Sequence, residues 1–289
     1  MAEFNVGRTV AVLSITFYTE GLALGPLLLA PIADRHGRRW VYVGAASCLL
    51  AFGVGAAVAP NLATHLVCRF FAGCIGSVGI AIGGGSIADL WPDGPGRQGS
   101  LLLFVLASFL SPSLAPLAGA YIIRAQQDDW RWSQWLLVMV GLPIWLLILP
   151  MQETGQTKER PSRGKATLQS ICLPVRMLCT DIIAILLTVH TSFGYGVIFS
   201  FFLSFRSILN RSYGFDDRET SLAYLSLLVG YGLAVVIHAL MDRRSASAAQ
   251  RPESTYDMPE NRLRSSVVGG ILVCFGEVWW VKCTEDCPI

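Results

Sequence analysis

The sequence predicts an all-α, polytopic membrane protein, and three observations carry that prediction. Of its 289 residues, 53% are apolar and 15% charged, where an ordinary soluble domain has roughly 25% charged. The mean hydropathy is +0.52. Charge-free runs recur along the chain at lengths matching the roughly 20 helical residues that cross a hydrocarbon core about 30 Å thick. Twenty-two basic and 20 acidic side chains cannot coat a water-bathed surface of this size, which excludes a cytosolic globular enzyme. A net charge of +2, with no basic patch interleaved with aromatics, gives no reason to expect a nucleic-acid partner.

The first run, 9–33, is interrupted only by Glu20. It is no secretory signal: it is longer than an h-region and leads straight into a cluster of arginines. Runs at 40–68, 70–88, 98–123, 132–152, 182–205 and 220–241 carry no formal charge, the second of the seven taking in an uncharged loop at Pro60-Asn61-Leu62. A last run, 267–276, reaches crossing length only if it continues through Glu277 to Val281. Seven spans and one shorter candidate follow. Fourteen Lys and Arg flank one side of these spans, at 35–39, 97, 153–180 and 242–266, against seven on the other. The positive-inside rule makes the richer side cytoplasmic and the N-terminus external. An external N-terminus is what loss of one preceding span would produce, and the 153–180 linker would then divide two six-helix halves. The eight cysteines form no CxxC or His-flanked pair, so neither a metal site nor a disulfide framework is indicated.

Between the first two runs stands Ala30-Pro31-Ile32-Ala33-Asp34-Arg35-His36-Gly37-Arg38-Arg39. Its Asp-Arg-x-Gly-Arg-Arg core resembles the hallmark loop of the major facilitator superfamily, between that family's second and third helices. Further matches follow in order. Leu66 to Gly73 resembles the fourth-helix arginine motif, and Gly83 to Leu90 the end of that helix in fungal drug:proton antiporters. Pro112 to Gly119 resembles the fifth-helix antiporter motif, while Trp130-Arg131-Trp132 and Glu153-Thr154 resemble the flanks of the sixth helix. Met241-Asp242-Arg243-Arg244 echoes the Asp-Arg loop where a second half would repeat it.

The resemblance implies a major-facilitator-type helix bundle that is incomplete, with about seven or eight of twelve spans. Residues 1–152 correspond to family helices two through six, 153–180 to a cytoplasmic linker, 181–281 to helices seven through nine, and 282–289 to an atypical tail. The implied function is secondary export of small organic molecules, drugs or secondary metabolites, in exchange for protons. It requires no cofactor beyond the proton gradient, and its partners are the bilayer and a small-molecule substrate. The implied location is the plasma membrane, and oligomeric state stays open. A transport-inactive fragment or an incomplete gene model is the rival reading, since the family's cavity helices one and ten fall outside the match. An intramembrane enzyme would need a convergent His/Asp or Ser/His set, which is not found.

Several residues carry chemistry in this reading. Asp34, Arg35, Gly37, Arg38 and Arg39 form the expected cytoplasmic gating loop, with Asp34/Arg38 and Arg35/Arg39 spaced to share a helical face. Arg69 is expected about five residues inside its span, roughly 7–8 Å deep at 1.5 Å per residue. It is either a snorkelling anchor or, as the resemblance implies, a proton-coupling or substrate-pocket arginine. Glu20, near mid-span, is a proton carrier, a pore-facing polar residue or tolerated drift in a decayed copy. Ser111, Pro112, Ala115, Pro116 and Gly119 make up the antiporter-type motif: Ala107, Ser111, Ala115 and Gly119 form a smooth ridge for a neighbouring helix, and the prolines remove two backbone donors. Gly21 with Gly25, and Gly79 to Gly83, are expected to serve packing. Trp130, Trp132 and Trp135 suit an interfacial belt. His36 and His65 read as interfacial, while His190 and His238 lie in spans.

Overall fold

A computed structural model describes residues 8–91, 95–126, 129–153, 176–249, 269–276, 278–279 and 282. Helix is the only regular structure among them, in the order α1 Arg8–His36, α2 Arg38–Ala57, α3 Leu62–Gly76, α4 Val78–Leu90, α5 Pro95–Ala125, α6 Arg131–Ile148, α7 Ile182–Ser212, α8 Asp217–Ala223 and α9 Ser226–Ala249. Residues 269–276 are also helical.

The breaks between helices follow from single residues. Gly37 sits at φ 89°, ψ 151°, a conformation open to glycine alone, and it ends α1 and starts α2. After α2, Pro60 cannot continue the helix, and the Asn61 Oδ1 accepts the Thr64 N–H at 2.8 Å to cap α3. Between α3 and α4, Ser77 keeps helical angles while its hydroxyl donates to the Cys74 carbonyl at 2.7 Å. The two helices therefore run on as one span. Gly214 at φ 65° makes the turn into α8, which a reciprocal Asp216/Glu219 capping box closes.

Among the described residues, seven helical stretches are long and apolar enough to cross a bilayer: Val12–Ala33, Arg38–Ala57, Leu62–Leu90, Gly96–Ala125, Arg131–Ile148, Ile182–Asn210 and Arg218–Ile237. Their apolar side chains are left largely uncovered by protein, Leu103 at 67%, Leu147 at 76% and Ile182 at 71% among them. Such a surface is stable only where hydrocarbon is the solvent, and helices suit that solvent because they satisfy their backbone polar groups internally.

The seven spans agree in number with the sequence expectation. The run expected at 40–68 divides at Val58–Asn61, and the third span starts at Leu62 rather than at 70. Arg69 consequently lies seven residues into its span, roughly 10 Å along the axis at 1.5 Å per residue. The shared faces expected for Asp34/Arg38 and Arg35/Arg39 are not formed, because the Gly37 break assigns the members of each pair to different helices. The side chains of Asp34, Arg35 and His238, residues 154–175 of the linker, 250–268, and 283–289 of the tail lie outside the described residues.

The chain divides into two compact units, Met1–Ser108 with Tyr121–Asp181, and Phe109–Ala120 with Ile182–Ile289. In the first, α1 lies along α3 in the most extensive helix contact, and α2 lies against α3 and α6. Gly21 and Gly25, one turn apart on α1, bring the two backbones together. A Cβ on Gly21 would overlap the Phe70 carbonyl, one on Gly25 the Cys74 carbonyl, and one on Gly73 the Tyr18 carbonyl. This is the close approach that small residues allow in lipid. Gly83 takes the Phe104 ring against it, whereas Gly79 has open space. A small apolar core joins Ala33, Val41, Val78 and Ile82. The second unit centres on Phe205, Leu209 and Tyr224, with the Tyr224 hydroxyl donating to the Phe202 carbonyl at 2.9 Å.

On α5, the expected ridge finds no covering helix among the described residues. Ala107, Ser111 and Ala115 are exposed, and a Cβ added to Gly119 would meet nothing within 4 Å. Pro112 and Pro116 lie inside a helix that continues through both. Ser113, midway between Ser111 and Ala115 and so off the ridge, is buried.

Candidate functional site

Three polar constellations stand in the first unit. The first gathers at the end of the bundle that carries the Asp34–Arg39 loop. With Gly37 ending α1, the first N–H groups of α2 are left without intrahelical acceptors. The Arg38 N–H donates to Glu153 Oε1 at 2.8 Å and the Arg39 N–H to Glu153 Oε2 at 3.2 Å, so a carboxylate caps the positive end of α2. The Arg39 guanidinium reaches on to the Leu149 carbonyl at 3.2 Å. Arg38 turns the other way and pairs with Asp89 at the end of α4, Nη2 to Oδ2 2.9 Å. Gly85 lets its guanidinium lie flat on α4, because a Cβ there would stand 3.1 Å from Nη2. The Tyr42 hydroxyl donates to Ser86 Oγ at 3.1 Å and ties α2 to the same face.

The loop's Gly37, Arg38 and Arg39 are thus brought together with two acids absent from the expected site. Asp89 and Glu153 both fall in motifs visible in the sequence. Nothing in their spacing assigns them to Arg38 and to the α2 amides.

The second constellation is Arg69. It points from α3 toward α1, with its guanidinium carbon 5.8 Å from the centre of the Tyr18 ring. Among the described residues its buried Nε has no hydrogen-bond partner, and the guanidinium makes no ion pair. Arg69 and Glu20 are not brought together by any hydrogen bond or ion pair among the described residues, and Glu20 is exposed near the middle of its span.

The third lies at the opposite end of α2. His65, expected at an interface, is 5% exposed. Its Nδ1–H donates to the Ala56 carbonyl at 3.1 Å, which fixes the neutral tautomer and leaves Nε2 to accept the Ser14 hydroxyl at 3.0 Å. Trp130, expected in an interfacial belt, packs against the imidazole edge-on at 5.1 Å and against the Arg131 guanidinium at 5.5 Å. His190, by contrast, is exposed on α7. His65→Ala strands a buried carbonyl and a hydroxyl, so unfolding should cost about 1–3 kcal/mol less. His65→Asn keeps a donor near Nδ1 and should unfold close to the wild type in a thermal melt.

No group of three or more metal-ligating side chains occurs among the described residues, and the Ser14–His65 contact has a backbone carbonyl, that of Ala56, and no acid on the far side of the imidazole. The arrangement offers charged contacts between helix ends and, inside a span, a half-buried arginine that makes no ion pair among the described residues.

Comparison with known proteins points the same way. A profile of the Major Facilitator Superfamily matches residues 1–284. The chain is 31% identical to the MFS-type transporter traF of Penicillium crustosum, over 96% of this chain and 60% of that one. It is 30% identical to the multidrug transporter TPO1_2 of Candida glabrata, over 96% and 51%, and 27% identical to the efflux pump FUBT of Fusarium oxysporum, over 97% and 51%. The chain therefore spans about half to three-fifths of the length of the curated relatives it matches.

Proposed function

The chain belongs to the major facilitator superfamily, and on that premise we infer that it exports small, largely apolar organic molecules across the plasma membrane in exchange for protons. Membership of the family and likeness to relatives named as transporters and an efflux pump support reading it as a multi-pass membrane transporter. The exchange with protons, the drug or secondary-metabolite cargo and the location are the steps of this proposal.

The observation that carries it is Arg69. An arginine within a span costs ~2.5–3.5 kcal/mol on insertion scales. Among the described residues the buried Nε of Arg69 has no hydrogen-bond partner, and the Tyr18 ring 5.8 Å from the guanidinium carbon offsets that cost only in part. Such a cation is worth keeping where something that comes and goes neutralises it: a cargo oxygen, or a carboxylate that gains and loses a proton. Glu20 is the second group in the reading, an acid near mid-span that can hold a proton in one state and release it in the other. The Arg38–Asp89 and α2–Glu153 contacts serve as the cytoplasmic latch, with Asp34 as its further member.

The test is efflux of rhodamine 6G from proteoliposomes under an imposed pH gradient. The wild type should move dye above empty liposomes. Arg69→Ala should lower flux at least tenfold while its melting temperature stays level or rises, because a stranded charge has been removed. Glu20→Gln should flatten the dependence of flux on pH. Equal flux in wild type and Arg69→Ala, or no gradient-driven flux at all, would overturn the reading.

A further inference from the structure

Among the helices of its unit, α6 meets chiefly α2, and the two run antiparallel with polar contacts at both ends. At the N-terminal end of α2, Glu153, just beyond α6, accepts the Arg38 and Arg39 N–H groups at 2.8 and 3.2 Å. At its C-terminal end, Arg131, the first residue of α6, forks onto two carbonyls. Nη1 donates to Ala57 at 3.2 Å and Nη2 to Ala59 at 3.3 Å. Between them the Trp145 indole donates to Ser47 Oγ at 2.8 Å, Gly53 packs on Val138 and Leu137, and Gly141 on Leu50. A helix carries about half a positive charge at its N-terminus and half a negative charge at its C-terminus. The acid and the base that meet these two poles of α2 flank the same neighbour. Trp130, against the guanidinium at 5.5 Å, helps hold the fork in place.

The geometry points to Arg131 as a positioning residue that, with Glu153, clamps α2 end to end onto α6, so that the two helices move as one body. The poles of α2 are roughly 30 Å apart for 20 residues at 1.5 Å each. A helix held at one pole could pivot about it, and the Arg38–Asp89 contact would then be uncoupled from the far end. Held at both poles, loosening at either end is felt at the other, and the coupling must be reciprocal. The inference rests on reading the chain as a transporter that alternates between states by rigid-body rocking.

Site-resolved amide hydrogen exchange of the full chain in phosphatidylcholine nanodiscs tests it without any cargo. Arg131→Gln should speed exchange at least tenfold both at residues 54–59 and at the Arg38 and Arg39 amides, with α1, α3 and α7 unchanged. Glu153→Gln should do the same in reverse. Arg131→Lys keeps the charge but cannot fork, so both ends should fall between the wild type and Arg131→Gln. If Arg131→Gln does not fold, the lysine variant is read by the same criterion. Acceleration confined to residues 54–59, none at either end, or a uniform rise through α1, α3 and α7 would each overturn the clamp. A chain that behaves as expected here yet moves no dye would overturn the exporter reading alone.

Discussion

Gly21→Leu is expected to leave no stable first unit: extracted in mild detergent, the variant should aggregate where the wild type gives a single symmetric peak by size exclusion. The cause is backbone against backbone. A Cβ on Gly21 overlaps the Phe70 carbonyl and stands 2.8 Å from the Cys74 nitrogen, and neither is the far end of a side chain that can swing away. The contact is reciprocated from α3, where a Cβ on Gly73 overlaps the Tyr18 carbonyl. Relief requires moving one helix off the other along the largest contact of the unit. That places the change among the exceptional substitutions that cost more than about 4 kcal/mol. Gly79→Leu is the control, since Gly79 has open space around it. A Gly21→Leu protein that melts within a few degrees of wild type would mean that α1 and α3 do not cross there.

Asp89→Ala is the second large effect. The Arg38 side chain is 16% exposed and Asp89 32%, so the pair is partly shielded from water. Removing the acid strands a cation whose Nη1 already lacks a partner among the described residues. Complete burial would make the loss about 3–5 kcal/mol, and the remaining exposure of Asp89 brings the expected cost down to about 1–3 kcal/mol. The telling comparison is the double variant Arg38→Met with Asp89→Ala. If the cost of Asp89→Ala is the stranded charge, the double variant should melt at a higher temperature than the single one. If instead the double variant is lower by the sum of both single changes, the ion pair is not what holds α4 to α2.

Much of the fold was legible residue by residue. The spans follow from runs without charge, and their number survives in the structure because helix length in a bilayer is a matter of solvent thickness alone. Gly21 and Gly25 announce a packing face by their spacing, though not that Phe70 and Cys74 are what they meet. The α5 ridge of Ala107, Ser111, Ala115 and Gly119 has the same spacing and meets no covering helix among the described residues, so spacing by itself does not establish a contact. Arg38 was legible as a loop residue, but the helical face expected to hold it with Asp34 is split between α1 and α2, because a single glycine at positive φ redirects the chain between them. His65 gave no signal: an isolated histidine near a span end reads as interfacial until Ser14 and Ala56 are seen on either side of it.

The amino-acid sequence by itself determined the solvent. Too few charges to face water and too many helix-length apolar runs leave a bilayer as the one medium in which this chain can fold. The tertiary structure alone decided which polar groups meet. Glu153 reaches α2 across 115 positions, Arg131 across 74 and His65 reaches Ser14 across 51. In hydrocarbon each helix satisfies its own backbone and apolar faces do not discriminate between neighbours. Helix pairing therefore rests on glycine-sized recesses and a handful of helix-end charges, whose partners only the packed bundle can assign.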